Sequence, residues 1–183
     1  MRDDDNRTLL LGTHRGERDA AVRLYRTMAP RLLAYARSLV GDDAAEDAVQ
    51  QVFVKLLGLG RDEIERVEDV LPWLIRLTRN AVLNDARGNG RRRVREAEWG
   101  GMSGASPFRL LATREHDGLL AALGEIDAAG RELIVLKHIA GLSFDQMAAS
   151  LDENRSTLAS RYRAAIERLR SVLSIGGAGV HHG

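Results

Sequence analysis

The sequence predicts an all-α protein built as two small helical domains joined by a flexible linker. Three observations carry this. Apolar residues recur at intervals of three and four along most of the chain, the spacing of one helix face. Hydrophobic residues make up 44% of the 183 but aromatics only 4%, with three prolines, so alanine and leucine must do the packing. The stretch "EWGGMSGASPFRLLATRE", rich in glycine and serine, interrupts the pattern and reads as a linker over 96–112.

In the first half, residues 1–16 are expected to be a disordered N-terminal segment. They carry charge but no apolar h-region, so no signal peptide is expected. Over 17–40, Val22, Tyr25, Ala29, Leu32, Ala36 and Leu39 mark a helix that Pro30 should kink or divide. Gly41 ends it, and Asp42 or Asp43 caps a helix over 43–57. That helix should bury Ala45, Val49, Val52, Phe53 and Leu56 and show Asp43, Glu46, Asp47, Gln50 and Gln51 on its other side. Residues 58–68, polar and with two glycines, read as a loop. Asp69 caps the next helix, with Pro72 tolerated in its first turn. Val70, Leu74, Leu77 and Ala81 face a core; Arg76, Arg79, Asn80, Asn84 and Arg87 share another face. Trp73, beside Leu74, fits the core better than a DNA wedge.

The second half, 113–174, has four helical segments. The first, 113–124, holds Leu119, Leu120 and Leu123. The second, 128–140, is capped by Asp127 and ended by Gly141. The third, 143–150, opens on a Ser143–Gln146 capping box. The fourth starts at Asn154 and buries Leu158, Tyr162, Ala165, Ile166 and Leu169. Residues 175–183 are expected to be a disordered tail.

Charge is segregated although the net is only +1. Residues 41–69 hold nine acids and three bases, a local −6; residues 76–95 hold seven arginines and one aspartate, a local +6; residues 155–170 hold five arginines and one glutamate, a local +4. Separated blocks suit separate partners, although solvated helix faces would look similar. The last two helices, "SFDQMAASLDENRSTLASRYRAAIERLR", have the short turn and the polar, basic first turns of a helix-turn-helix. Arg155, Ser156, Thr157, Ser160, Arg161 and Arg163 lie away from the apolar stripe, and such side chains bond bases or phosphates. A bundle hairpin remains the alternative on pattern alone.

Together these segments resemble a known family. "LGEIDAAGRELIVLKHIAGLSFDQMAASLDENRSTLASRYRAAIERLR" resembles region four of sigma factors. "DDAAEDAVQQVFVKLL" resembles the polymerase-binding part of their region two, and "PWLIRLTRNAVLNDARGNGRRR" the segment that meets the minus-ten promoter element. Order, linker and length are similar to the extracytoplasmic-function (ECF) group of the sigma-70 family, over residues 18–173. The resemblance implies a dissociable polymerase subunit that directs promoter-specific initiation. Its implied partners are core RNA polymerase, through clamp helices and flap, promoter DNA, and an anti-sigma factor. It implies that Glu46, Asp47, Gln50 and Gln51 dock on polymerase. Arg76, Arg79, Asn80, Asn84, Arg87 and Arg91, Arg92, Arg93 would meet the minus-ten region, and the fourth helix the minus-thirty-five element. Loop 58–68 lies where the family captures a flipped base.

The chain departs from the family pattern at Asp152 and Glu153, where a glycine and an apolar residue are usual. It departs also at Ala159 and Ala164, where basic residues are common. These departures keep a sigma-like polymerase binder with weakened promoter reading as an alternative, beside a stand-alone helix-turn-helix regulator. The absence of cysteine excludes a disulfide scaffold, a thiolate metal site and a thiol nucleophile. Asp42, Asp43, Glu46 and Asp47 point in several directions and have no histidine beside them, so no metal is expected. No nucleophile–base pair or phosphate-binding glycine loop is present; neither enzyme activity nor a cofactor is expected. No apolar run approaches 18 residues, and a cytoplasmic location is expected.

Overall fold

A computed structural model of the chain describes residues 3–40, 42–88 and 123–177. The described residues form eight α-helices and no strand: α1 Asp3–His14, α2 Arg18–Val40, α3 Asp42–Leu57, α4 Arg61–Glu65, α5 Val70–Gly88, α6 Ala128–His138, α7 Phe144–Leu151 and α8 Arg155–Gly177. The all-α expectation is met. Arg91, Arg92, Arg93, the linker over 96–112, most of the helix expected over 113–124, and the tail from 178 lie outside the described residues.

Three expectations are corrected. Residues 3–14 are a helix, not a disordered segment. Asn6, Leu9, Leu10 and Thr13 fall at i, i+3, i+4 and i+7 and are all buried, but two of the four are polar, so the stripe was hidden. Twelve residues make a marginal helix in isolation, and burial against α2, α4 and α5 stabilises this one. The Thr13 hydroxyl donates to the Leu9 carbonyl (2.7 Å), which satisfies it without a distant partner. The α1–α2 pair is close: a Cβ on Gly12 would lie 2.7 Å from Ala20 Cβ.

The 58–68 stretch also contains a helix, α4, anchored by the buried Ile64 and followed by the buried Val67. Five residues with one apolar position cannot show a period. In α2, Val22 and Tyr25 are 40% and 45% exposed rather than inward. Ala29, Leu32 and Ala36 are buried as expected, Leu24, Met28 and Tyr35 join them, and the Tyr25 ring stands 4.8 Å from the Phe53 ring at the rim. Helix α2 passes through Pro30 unbroken. Pro30 and Arg26 are both exposed, so water can serve the Arg26 carbonyl that proline leaves without its N–H.

The first five helices and the last three share one continuous apolar core. Helix α6 packs on α2, and α7 on α5. Polar bonds mark the seam. Glu132 Oε1 on α6 accepts from the Tyr35 hydroxyl (2.6 Å) and from Arg79 Nε (3.1 Å). Gln146 Nε2 on α7 donates to Asp69 Oδ2 (2.7 Å), and the Ser150 hydroxyl donates to the Pro72 carbonyl (3.1 Å). Trp73 is half-buried against the core, as its place beside Leu74 suggested.

Burial and the neighbouring Glu132 carboxylate raise the Tyr35 pKa well above the ordinary 10.0. The folded state therefore holds the phenol proton more tightly than the unfolded state does. The stability this contributes is complete below pH 10 and is lost as pH rises through the unfolded value toward the folded one. Tyr35→Phe should remove that fall. In urea titrations between pH 9 and 11, wild type should lose stability more steeply than the variant, which should be about 1–3 kcal/mol less stable at pH 7 through the lost bond to a carboxylate. Parallel curves would show that the phenol–Glu132 contact does not form.

Candidate nucleic-acid interface and docking face

The docking face predicted on α3 is built by helical spacing. Asp47, Gln50 and Gln51 are exposed on the side opposite the buried Ala45, Ala48, Val49, Val52 and Leu56. Glu46 is also exposed, but it is drawn to Arg37 of α2 (3.1 Å), which also pairs with Asp42 at the helix start (2.9 Å). Asp42 and Asp43, in the first turn, suit the positive end of the helix dipole. Two residues escaped the sequence reading: Val54 and Leu57 are 70% and 64% exposed. They continue the face of Asp47 and Gln50 at i+7, so the face is polar in its first half and apolar in its second. The spacing was visible in the sequence, but exposed apolar residues cannot be told from core residues by type.

The basic face of α5 is divided. Arg76, Asn80 and Asn84 are exposed and fall at i, i+4 and i+8, one stripe. Arg79 is not on it. It is half-buried and held by Glu132 across the seam, where Glu132 offsets the cost that burial imposes on its charge. Sequence could not show this, because the partner lies 53 residues away. Arg87 lies within α5, but its side chain is outside the described residues, as are Arg91, Arg92 and Arg93.

The α7–α8 pair is fixed by its caps. The Ser143 hydroxyl accepts from Gln146 N (3.1 Å), and Gln146 Oε1 accepts from Ser143 N (2.8 Å), the reciprocal box expected. Asp152 ends α7 in the left-handed conformation (φ 56°, ψ 43°), the role a glycine usually fills; aspartate is among the few residues that tolerate it. Asn154 Oδ1 accepts from Ser156 N (2.9 Å) and opens α8. Leu158 and Ala165 are buried, whereas Tyr162, Ile166 and Leu169 are half-buried. Tyr162 stands edge-on to Phe144 and its hydroxyl meets His138 Nε2 at 2.6 Å. At Gly130 of α6 a Cβ would lie 2.9 Å from Ala165 Cβ, so α6 and α8 approach as closely as a glycine allows.

Arg155, Ser156, Thr157, Ser160, Arg161 and Arg163 are all exposed on α8. The structure brings them to one end of the helix but gives all three arginines intramolecular partners, while the Ser156 hydroxyl donates to Asn154 Oδ1 (2.8 Å) and Ser160 Oγ accepts from Arg163 Nη2 (3.5 Å). Arg155 pairs with Asp145 (3.0 Å), Arg161 pairs with Glu153, and Arg163 Nε donates to the Ala159 carbonyl (3.3 Å). Glu153, which stands where an apolar residue would plug the turn, therefore resolves its burial by taking one of the arginines of the basic face. Among the described residues no three acids or histidines are placed to hold a metal ion, and no helix is long and apolar enough to cross a membrane.

The exposed acidic–apolar face of α3, the exposed stripe of α5 and the capped α7–α8 pair are compatible with a transcription-initiation subunit, and comparison with known proteins shows the family. Residues 24–92 match the family model for sigma-70 region 2. The chain is 30% identical over 154 residues, 81% of its length and 82% of the relative's, to the ECF RNA polymerase sigma factor EcfG of Rhodopseudomonas palustris. It is 25% identical to the ECF sigma factor SigK of Mycobacterium ulcerans, covering 94% of this chain and 95% of that one. Among solved structures it is similar to CnrH in complex with the cytosolic domain of CnrY (TM-score 0.66, 25% identity, 93% of this chain and 98% of that one). It is also similar to RpoE in complex with the anti-sigma factor NepR from Bartonella quintana (TM-score 0.63, 26% identity, 84% and 96%). The chain belongs to the ECF RNA polymerase sigma factors.

Removing the glutamate that occupies Arg161 should strengthen the basic face. Glu153→Ala should tighten duplex DNA binding at low salt and steepen the salt dependence by up to about 0.9 in log–log slope, one more phosphate contact. Fluorescence anisotropy across a salt series would check this. An unchanged slope would mean that Arg161 does not reach DNA.

Proposed function

We infer that the chain binds core RNA polymerase and directs it to specific promoters, acting by recognition and without catalysis, in the cytoplasm. The observation that carries the reading is the joint presence of the α3 docking face and the α7–α8 pair in one chain of this family. Asp47, Gln50 and Gln51, with Glu46 beside them and Val54 and Leu57 beyond, dock on polymerase clamp helices. A mixed acidic and apolar face is a poor DNA surface and a good one for a basic, partly apolar partner. Arg76, Asn80 and Asn84 face the minus-ten region, with Arg87 and Arg91–Arg93 toward phosphates, and the first turns of α8 enter the major groove at the minus-thirty-five element. The linker over 96–112 joins a region-two-like domain, 17–95, to a region-four-like domain, 113–174, that also meets the flap. An anti-sigma factor is a further partner, supported by the solved relative RpoE, whose structure is a complex with the anti-sigma factor NepR.

This function requires the chain to open. The two promoter elements are about 25 base pairs apart, or roughly 85 Å at 3.4 Å per step. A compact chain of this length has a radius of gyration of about 16 Å. Helices packed through Glu132 cannot reach both elements, so promoter engagement separates the halves, breaks the Glu132 contacts and releases Arg79 to the basic stripe of α5. The weakened-promoter alternative is favoured only by the Glu153–Arg161 pair and the missing basic residues at Ala159 and Ala164. A stand-alone regulator leaves the α3 face without a use.

The test is reconstitution: the purified chain added to core polymerase should start transcription at discrete sites on genomic DNA. Asp47→Lys should weaken core binding by about 2–5 kcal/mol, the cost of disrupting a charge pair at an interface, with helicity unchanged by circular dichroism. Initiation without added core, or core affinity unaffected by Asp47→Lys, would overturn the assignment.

A further inference from the structure

Helix α1 lies before residues 24–92, the stretch matched by the family model, and the proposed function gives it no task. Its contacts are specific. Arg7 Nε donates to the Val67 carbonyl and Arg7 Nη2 to the Glu65 carbonyl, both at 3.1 Å. These carbonyls belong to the end of α4 and the turn into α5. Helix ends leave their last carbonyls without intrahelical partners, and a cation there also meets the negative end of the helix. A planar guanidinium can serve two carbonyls at once, which an ammonium does less well. Below this pair, Ile64 and Val67 are buried and Leu9 and Leu10 of α1 join the same core.

The junction is held from a second side as well. Two residues beyond Val67, Asp69 accepts from Gln146 of α7, and Pro72 accepts from Ser150. Those bonds cross the seam and are lost when the halves separate. The Arg7 bonds lie within the first half and remain. In the opened chain, α1 is therefore the element that still fixes the polar end of α4 relative to α5.

We propose that Arg7 is a positioning residue for the α4–α5 junction: it holds the 58–68 segment in register with the basic stripe of α5, so that the segment meets the unpaired minus-ten strand in a defined pose. This rests on the sigma-factor reading above. A base drawn out of the stack costs a few kcal/mol, which contacts in a fixed pocket must offset, so a loosened segment loses discrimination at the captured base before it loses general affinity. Helix α1 would then contribute to promoter choice without touching DNA.

The test uses the full chain and two readouts. Arg7→Met keeps the stem and removes the donors; Arg7→Lys keeps the charge. In the free chain, amide hydrogen exchange over 61–69 should quicken about tenfold in Arg7→Met, less in Arg7→Lys, with α2 and α3 unchanged. With core polymerase, selection from a single-stranded minus-ten library should show at least about fivefold less discrimination at one base in Arg7→Met, at unchanged core affinity, with partial rescue in Arg7→Lys. Unchanged exchange over 61–69 would overturn the brace whatever the protein does. Faster exchange with unaltered base selection, or an equal loss of core binding and selection, would confine α1 to general support of the fold and overturn the positioning role. Failure of wild type to bind core in the same titration would instead overturn the sigma-factor reading, and the exchange result would still decide the brace.

Discussion

Glu132 is a carboxylate set into the seam between the first five helices and the last three, and the arrangement of the molecule depends on it. A buried carboxylate is costly unless its oxygens are bonded and its charge is matched. Tyr35, 97 residues away in sequence, and Arg79, 53 residues away, supply both needs through a single oxygen atom. The apolar core on either side provides the attraction between the halves, but leucine and alanine packing is tolerant of register. The Tyr35–Glu132–Arg79 bonds are not. They select one way for α6 to lie on α2 and α5, and Gln146 and Ser150 repeat the selection where α7 meets the start of α5.

That choice ties the resting form to the function. Arg79 is both a member of the basic block of α5 and a ligand of Glu132, and it cannot serve DNA and the seam together. Because paired buried charges contribute little net stability against well-packed apolar residues, the seam is specific without being irreversible. In the proposed function, promoter DNA would offer Arg79 phosphates and the α3 and α8 faces would gain partners, and the energy of those contacts can exceed what the seam provides. On α8, Glu153 and Asp145 likewise hold Arg161 and Arg155 in the free chain, and in the proposed function DNA phosphates would replace them.

The helices were legible wherever one face was uniformly apolar. The caps at Ser143 and Asn154 were read directly, because the chemistry that starts a helix is local. What escaped the sequence was either too short or too distant. Helix α4 has one buried position and no period. Helix α1 places Asn6 and Thr13 in its buried stripe and so reads as polar. In α2, Ala29, Leu32 and Ala36 are buried as read, but Val22 and Tyr25 stand on the rim and look like core because both are apolar. The docking set on α3 and most of the α5 and α8 sets are exposed as expected. Arg79 is the exception, since a helix face does not reveal which charge another helix will bring to it. Glu132 carried no local signal at all: one glutamate in an amphipathic helix looks solvated until Tyr35 is placed over it.

In the proposed function, a chain closed around Glu132 opens when it programmes polymerase. The sequence contains no cysteine, so two can be introduced for labelling at exposed positions on the two halves, Arg31→Cys on α2 and Glu167→Cys on α8. Energy transfer between donor and acceptor dyes should be high in the free chain and should fall sharply in the complex with core polymerase and promoter DNA, as the separation approaches the distance between the two promoter elements. High transfer retained in a complex that initiates transcription would show that the chain works without opening.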